Sequence, residues 1–217
     1  IIYGANAFIP LFLQAVTGVS PTKSGLLLVP IMAGVTTASI GTGRLTTRTG
    51  KYRHWPILGA TSLTAGMVFL SGMSKSGLGM TSAIIGMVFV GLGIGSIMPT
   101  CTLATQNAVD WHDLGVASAA ITFFRTLGGV VGLAAFGAVL NSRITGKVDK
   151  RLLQAPRKIK AIPDVAVREH VFQVLGDGIT FLYKIAIPVA IIVIIIASRL
   201  PDRPLRQTTG ATVAVPD

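Results

Sequence analysis

Long uninterrupted apolar runs are the feature of this sequence that most limits its fold. A helix needs about 20 apolar residues to cross a bilayer core of about 30 Å, and six segments approach or reach that length. The predicted spans are roughly 1–18, 24–43, 55–72, 82–104, 116–140 and 178–198. These runs are continuous, whereas the strands of a membrane barrel alternate over about ten residues, so the spans are predicted to be helices.

The composition supports the same class of protein. Hydrophobic residues make up 51% of the chain and charged residues 12%, whereas soluble domains carry about 25% charged residues. The mean hydropathy is +0.69. A soluble protein of this length would need a polar surface that the chain lacks, so we predict an all-α polytopic protein of the cell membrane, with the lipid bilayer as a partner.

The formal net charge of +11 does not indicate a nucleic-acid partner. Most of the basic residues lie between the apolar runs, as expected for loops at a lipid headgroup surface. The lone cysteine excludes an intrachain disulfide, and the three histidines have no cysteine at metal-ligand spacing. We therefore predict no enzymatic activity, no metal site and no cofactor.

The sequence begins inside an apolar run without methionine, and we expect it to be a fragment that starts within a membrane helix. Six spans would place the connections 44–54 and 105–115 on the same side as a tail at 199–217, and a long connection at 141–177 on the other. The side of the long connection holds more Lys and Arg than the other side, so the positive-inside rule favours the cytoplasm for the long connection. That rule is most reliable for short loops. Charge alone therefore leaves the orientation open. Within 165–175, helical spacing of valine and leucine predicts a short surface helix.

Glycines crowd two of the predicted spans. Close backbone approach supplies much of the energy of helix association in lipid, and GxxxG pairs permit it. Gly91 with Gly95 and Gly128 with Gly132 are predicted helix-packing pairs. They can serve static packing, or they can form faces that slide during a transport cycle.

Two motifs carry a resemblance to a known family. The stretch from Gly43 to Arg53, GRLTTRTGKYR, resembles the loop motif of the major facilitator superfamily. The stretches from Phe8 to Pro30 and from Gln106 to Gly132 resemble the C-terminal six helices of the drug:proton antiporter-2 family, the EmrB/QacA-like fourteen-span exporters. The resemblance covers nearly the whole chain in order. It implies one half of a major facilitator fold, a 3+3 inverted repeat, with 141–177 extracytoplasmic and the tail cytoplasmic.

The resemblance also assigns roles to the residues of these motifs, with two departures. Thr47 stands where the family's loop motif has an aspartate, so the charge-relay role of that aspartate is not carried over. Asp110, Trp111 and His112 stand where the family commonly has proline and basic residues. The loop motif has a gating or a topogenic role, and its residues are Gly43, Arg44, Arg48, Gly50, Lys51 and Arg53. The cytoplasmic turn contributes Gln106 and Asn107.

The implied function is proton-coupled export of lipophilic or cationic drugs by alternating access, driven by the proton gradient. Export of one defined product, such as an antibiotic or a siderophore, is an alternative, and a non-transporting scaffold or channel is a second. The predicted cavity and coupling residues are Asn6, Phe8, Gln14, Phe124 and Arg125. No predicted span has Asp or Glu in its interior, so proton-carrying carboxylates are expected in a missing N-terminal membrane half.

Arg125 is the only ionisable residue within 116–140. It lies about ten residues into its span, or about 15 Å from the helix end at about 1.5 Å per residue. An unpaired arginine at the centre of a membrane costs at least about 2.5–3.5 kcal/mol. Its side chain can reach toward the headgroups, or it can face the cavity and find its partner in the missing half. The second interpretation makes Arg125 the strongest functional candidate.

Overall fold

The computed structural model describes residues 4, 8–10, 21–72, 79–145 and 165–201, and all regular structure within them is helical. The helices are α1 Pro21–Leu26, α2 Val29–Thr49, α3 His54–Ser71, α4 Gly79–Ala108, α5 Leu114–Ile144 and α6 Val165–Ser198. A single 3-10 turn, Trp111–Asp113, connects α4 to α5. The predicted all-α class is confirmed.

Within the described residues, four helical stretches are long and apolar enough to cross a membrane: Thr22–Thr49, Met80–Ala108, Trp111–Ile144 and Glu169–Ser198. They contain the predicted spans at 24–43, 82–104, 116–140 and 178–198. The predicted span at 55–72 coincides with α3, a helix of 18 residues. The predicted span at 1–18 lies mostly outside the described residues. The protein is therefore a multi-pass membrane protein.

Pro30 and Gly50 determine where α2 begins and ends. Proline has no N–H, so the carbonyl of Leu26 lacks its helical donor and the chain turns at residues 27–28 before α2 starts. At the other end Gly50 adopts a φ of 69°, and its N–H bonds the Thr46 carbonyl, which is a common way to end a helix. The helix therefore runs six residues beyond the predicted span end at residue 43, and most of the predicted basic loop is helical.

Helix α6 is longer than the last predicted span. The expected surface helix at 165–175 is its first part and continues into the span without a break. Val171, Leu175 and Ile179 are all buried and repeat at four-residue intervals, so one apolar stripe crosses the predicted boundary at residue 177. Residues 146–164 of the predicted long connection lie outside the described residues.

Helix α4 lies between α2 and α3, and its glycines permit both contacts. A Cβ added to Gly91 would meet the carbonyl oxygen of Ile31 in α2, and one added to Gly93 would lie 2.7 Å from the carbonyl oxygen of Gly59 in α3. Helix α3 also packs against α6. In the most apolar stretch of α4, half of the residues are buried. In the corresponding stretch of α5, 6% of the residues are buried. Helix α5 is therefore the element that the rest of the described bundle covers least.

Contacts between helix ends define the two ends of the bundle. Arg53 Nη2 donates to the carbonyl oxygen of Ser198 at 2.9 Å, and the Tyr52 hydroxyl donates to that of Pro201 at 3.3 Å. The link between α2 and α3 therefore lies beside the C-terminal end of α6. At the opposite end, Ser71 of α3 and Arg143 of α5 line one cavity together with residues 174–184 of α6.

Candidate functional site

Arg125 lies on the exposed side of α5, close to α4. Its Nη1 atom is 4.0 Å from the Met98 sulfur, the one polar contact of the guanidinium within the described part of the chain. A thioether is a weak acceptor and carries no charge, so this contact cannot neutralise an arginine. The described residues thus leave the positive charge without a counterion.

The surroundings of Arg125 are apolar and exposed. Phe124, Gly128 and Gly132 are four residues apart along α5 and therefore lie on the same side of that helix. We call the surface formed by these residues, Arg125 and Met98 the Arg125 face. Phe124 is 68% exposed and contacts Phe123 edge to face, with 5.5 Å between the ring centroids. Thioether and aromatic side chains give broad, adaptable contact to lipophilic molecules.

A proline shapes α4 next to Met98. Pro99 has no N–H, so the carbonyl of Gly95 loses its helical partner. Ser39 of α2 donates its hydroxyl to that oxygen at 3.2 Å. Thr42 of α2 and Ser96 of α4 are 3.5 Å apart at their hydroxyl oxygens. This small polar seam joins α2 to α4 beside the Arg125 face.

The two predicted GxxxG pairs occupy different environments. Gly91 and Gly95 lie where α2 crosses α4, and a Cβ on either would meet a backbone carbonyl oxygen of α2, that of Ile31 or Val35. At Gly128 and Gly132 an added Cβ would meet no described atom within 4 Å. Their predicted packing partner is therefore not among the described helices.

The predicted loop-motif residues divide into three groups. Arg53 bonds the C-terminal end of α6, whereas Arg44, Arg48 and Lys51 are exposed. Gly50 has the positive φ that ends α2, and Gly43 lies within the helix beside open space. Thr47, which stands where an aspartate was expected, donates its hydroxyl to the carbonyl oxygens of Gly43 at 3.1 Å and Arg44 at 2.9 Å.

The remaining predicted residues do not gather at one site. Gln106 Nε2 donates to the Ser118 hydroxyl at 3.1 Å and so joins the end of α4 to the start of α5, and Asn107 is its half-buried neighbour. Phe8 is buried, and its ring centroid is 6.4 Å from that of Phe136 in α5. Asn6 and Gln14 lie outside the described residues.

A second group of charges was not predicted from the sequence. Lys184 lies within the predicted span 178–198, and it shares a cavity with Arg143 and Asp177. Lys184 is the only charged residue of the apolar run 178–198 in the sequence. The signal was present, because charged residues inside membrane spans are rare.

Comparisons with known proteins point to one family. A family model described as Major Facilitator Superfamily matches residues 1–133. The chain is 31% identical over 210 residues to an uncharacterized MFS-type transporter of Mycobacterium tuberculosis, which covers 93% of the chain and 30% of that relative. It is 35% identical over 144 residues to the multidrug transporter protein MdtP of Bacillus subtilis, covering 65% of the chain and 26% of the relative.

A third relative is a tetracycline resistance determinant of Streptomyces rimosus. It is 30% identical over 166 residues, which cover 76% of the chain and 47% of the relative. The chain therefore spans less than half the length of each of these proteins.

Proposed function

This chain belongs to the major facilitator superfamily, and on that premise we propose that it is the C-terminal six-helix part of a drug exporter of the drug:proton antiporter-2 kind. Relatives named as a multidrug transporter and a tetracycline resistance determinant support efflux as the activity. The motifs from Gly43 to Arg53 and from Gln106 to Gly132 support the subfamily. The exporter would act in the cell membrane by alternating access.

The observation that carries the proposal is the lack of cover on the Arg125 face. Only 6% of the most apolar stretch of α5 is buried, and Arg125 meets the neutral Met98 sulfur. An arginine so deep in a membrane needs a polar partner, since its unpaired cost is at least about 2.5–3.5 kcal/mol. We propose that a second membrane half of the whole protein covers this face and supplies a carboxylate or carbonyl partner.

Such an arrangement suits the mechanism of the superfamily. Two halves rock around a cavity at the middle of the membrane, and the close glycine contacts of α4 would keep α2, α3 and α4 together as one body. The Arg125 face would border the cavity, where Phe124 and Met98 contact lipophilic substrates. Arg125 would repel a cationic drug unless a carboxylate neutralises it, so proton binding to that carboxylate would couple the proton gradient to transport.

Export of a single product is the second candidate. It is favoured by the relative from Streptomyces rimosus, which is named for resistance to one antibiotic class. The two candidates make different demands on the same cavity, because a multidrug site must accept chemically unrelated molecules.

Efflux from cells that lack their own exporters tests both candidates. The whole protein should lower the accumulation of ethidium and of tetraphenylphosphonium, and a protonophore should abolish the effect. Export of a tetracycline alone would favour the single-product exporter. Unchanged accumulation of every compound, with the protein present in the membrane, would contradict the efflux proposal.

A further inference from the structure

A cavity of about 350 Å³ lies at the end of the bundle opposite Arg53, between α3, α5 and α6. It is separate from the Arg125 face, and nothing in the proposed transport cycle uses it. Its lining includes three charged side chains, Arg143, Asp177 and Lys184. Charged groups next to apolar helices in a membrane protein are costly to keep, which indicates a function for the cavity.

Arg143 is held in place by an aromatic ring. Its Cζ atom lies 3.7 Å from the ring centroid of Phe181, a cation–π contact between α5 and α6. The N–H groups of a guanidinium point outward in its own plane, so contact of its face with a ring leaves them able to bond an anion. The ring therefore restricts where the Arg143 side chain can lie before any ligand arrives.

Lys184 and Asp177 lie on the same side of α6 as Phe181, since the spacing of 177, 181 and 184 is four and then three residues. At about 1.5 Å per residue, Lys184 lies about 10 Å deeper along the helix than Asp177. Among the described lining residues, two cations and one carboxylate sum to a formal charge of +1. One monovalent anion would neutralise it.

The side of α6 that bears Lys184 continues as an exposed apolar strip. Ile192 and Ile195 follow at helical spacing and are 54% and 56% exposed. From Lys184 to Ile195 the helix rises about 16 Å, close to half the thickness of a bilayer core of about 30 Å. A cationic cavity is thus placed at one end of a strip as long as an acyl chain.

From this geometry we propose that the cavity binds a phosphate ester, supplied by the headgroup of a membrane phospholipid. Arg143 and Lys184 bond the phosphate oxygens, Phe181 positions Arg143, and an acyl chain lies along Ile192 and Ile195. A phosphodiester carries one negative charge and so matches the formal charge of the described lining residues. The site is structural or regulatory, and it does not require the chain to export drugs.

Native mass spectrometry of the purified whole protein tests the site. The protein is equilibrated with phosphatidylglycerol or with diacylglycerol, which has the same acyl chains without the phosphate. We expect phosphatidylglycerol to remain bound and diacylglycerol to dissociate. The double variant Arg143→Gln/Lys184→Gln should bind phosphatidylglycerol at least about tenfold more weakly, since each charge-assisted hydrogen bond has about that effect. Equal retention of the two lipids would overturn the proposal.

Matched variants keep the test decisive. Lys23→Gln removes an exposed cation of α1 at the same end of the bundle and should leave binding unchanged. If the double variant does not fold, Phe181→Leu keeps both cations and should still weaken lipid binding several-fold through Arg143. Unchanged lipid binding by Phe181→Leu would overturn the site. A loss of binding in Lys23→Gln equal to that in the double variant would show ordinary annular lipid contact and would also overturn it. Displacement of the lipid by soluble glycerol phosphate would support the phosphate-ester site with the headgroup as sufficient ligand, and resistance to displacement would support a requirement for the acyl chains.

Discussion

Ser39 and Pro99 show how two residues on different helices can depend on each other. Pro99 leaves the Gly95 carbonyl without a helical donor, and Ser39 of α2 supplies the missing hydrogen bond at 3.2 Å. Gly95 is buried, so water cannot replace that donor readily. The bond therefore contributes to stability as well as to the approach of α2 and α4.

We predict that Ser39→Ala lowers the thermal stability of the whole protein in detergent. An unsatisfied buried acceptor costs about 1–3 kcal/mol. Thr37→Ala is the matched control, because Thr37 is an exposed residue of the same helix. Melting followed by fluorescence compares the two variants, and equal melting temperatures would contradict the assigned role of Ser39.

Arg125 poses a different question at the same scale, because the described residues give it no counterion and we propose that its partner lies in a second membrane half. We predict that Arg125→Ala abolishes export without abolishing membrane insertion, and that Arg125→Lys retains part of the activity by keeping the charge. Met98→Leu keeps the packing volume and should retain export. The measurements are efflux from cells and the amount of protein in the membrane fraction; normal export by Arg125→Ala would leave snorkelling to the headgroups as the explanation.

Among the helices, the contrast between α4 and α5 separates stability from movement. Helix α4 is fixed between α2 and α3 by contacts at which a Cβ would collide with backbone, whereas the glycines at 128 and 132 face no described atom. If the second half of the transporter slides along α5, glycines there serve motion and those of α4 serve assembly.

We therefore predict opposite effects for a pair of substitutions. Gly91→Ala should lower the melting temperature, since overpacking costs about 1–3 kcal/mol. Gly128→Leu should leave the melting temperature unchanged and reduce export, because its larger side chain would obstruct the moving face. Thermal unfolding and efflux are measured on both variants. A lower melting temperature in Gly128→Leu with normal export would assign Gly128 to static packing.

At the scale of the whole molecule, the C-terminal ends of α2 and α6 lie together with the N-terminal end of α3. The side of the membrane that this end of the bundle faces is a prediction. Cysteine labelling can determine that side, provided that the labelled positions are exposed. Thr46 is buried, with 1% exposure, so it cannot report the environment of the loop. Thr49 and Ser142 are exposed and lie at opposite ends of the bundle.

We predict that Ser142→Cys reacts with an impermeant maleimide on intact cells and that Thr49→Cys reacts only after the membrane is opened. Both are made in a Cys101→Ala background, so that this chain offers no thiol besides the introduced one. Thr46→Cys is the buried control and should remain unlabelled under both conditions. External labelling at Thr49 would reverse the orientation implied by the family resemblance.

The apolar runs predicted the helical class because each must satisfy its backbone hydrogen bonds within lipid. They could not predict helix ends outside the lipid: polar residues from Arg44 to Thr49 are compatible with a helix, and only the cap at Gly50 ends it. Arg125 was found from sequence because one charge in an apolar run is conspicuous. The burial of Phe8 against Phe136 depends on contacts between distant segments, which a single sequence does not contain.

The glycine contacts of α4 also have a consequence for biosynthesis. Both helices that pack against those glycines, α2 and α3, precede α4 in the chain. We expect these helices to associate soon after residue 108 leaves the ribosome, because contacts between near neighbours in sequence form fastest. Helix α3 would then offer a surface on which α6 docks when it is synthesised. The order of helices along the chain would thus also set the order of assembly.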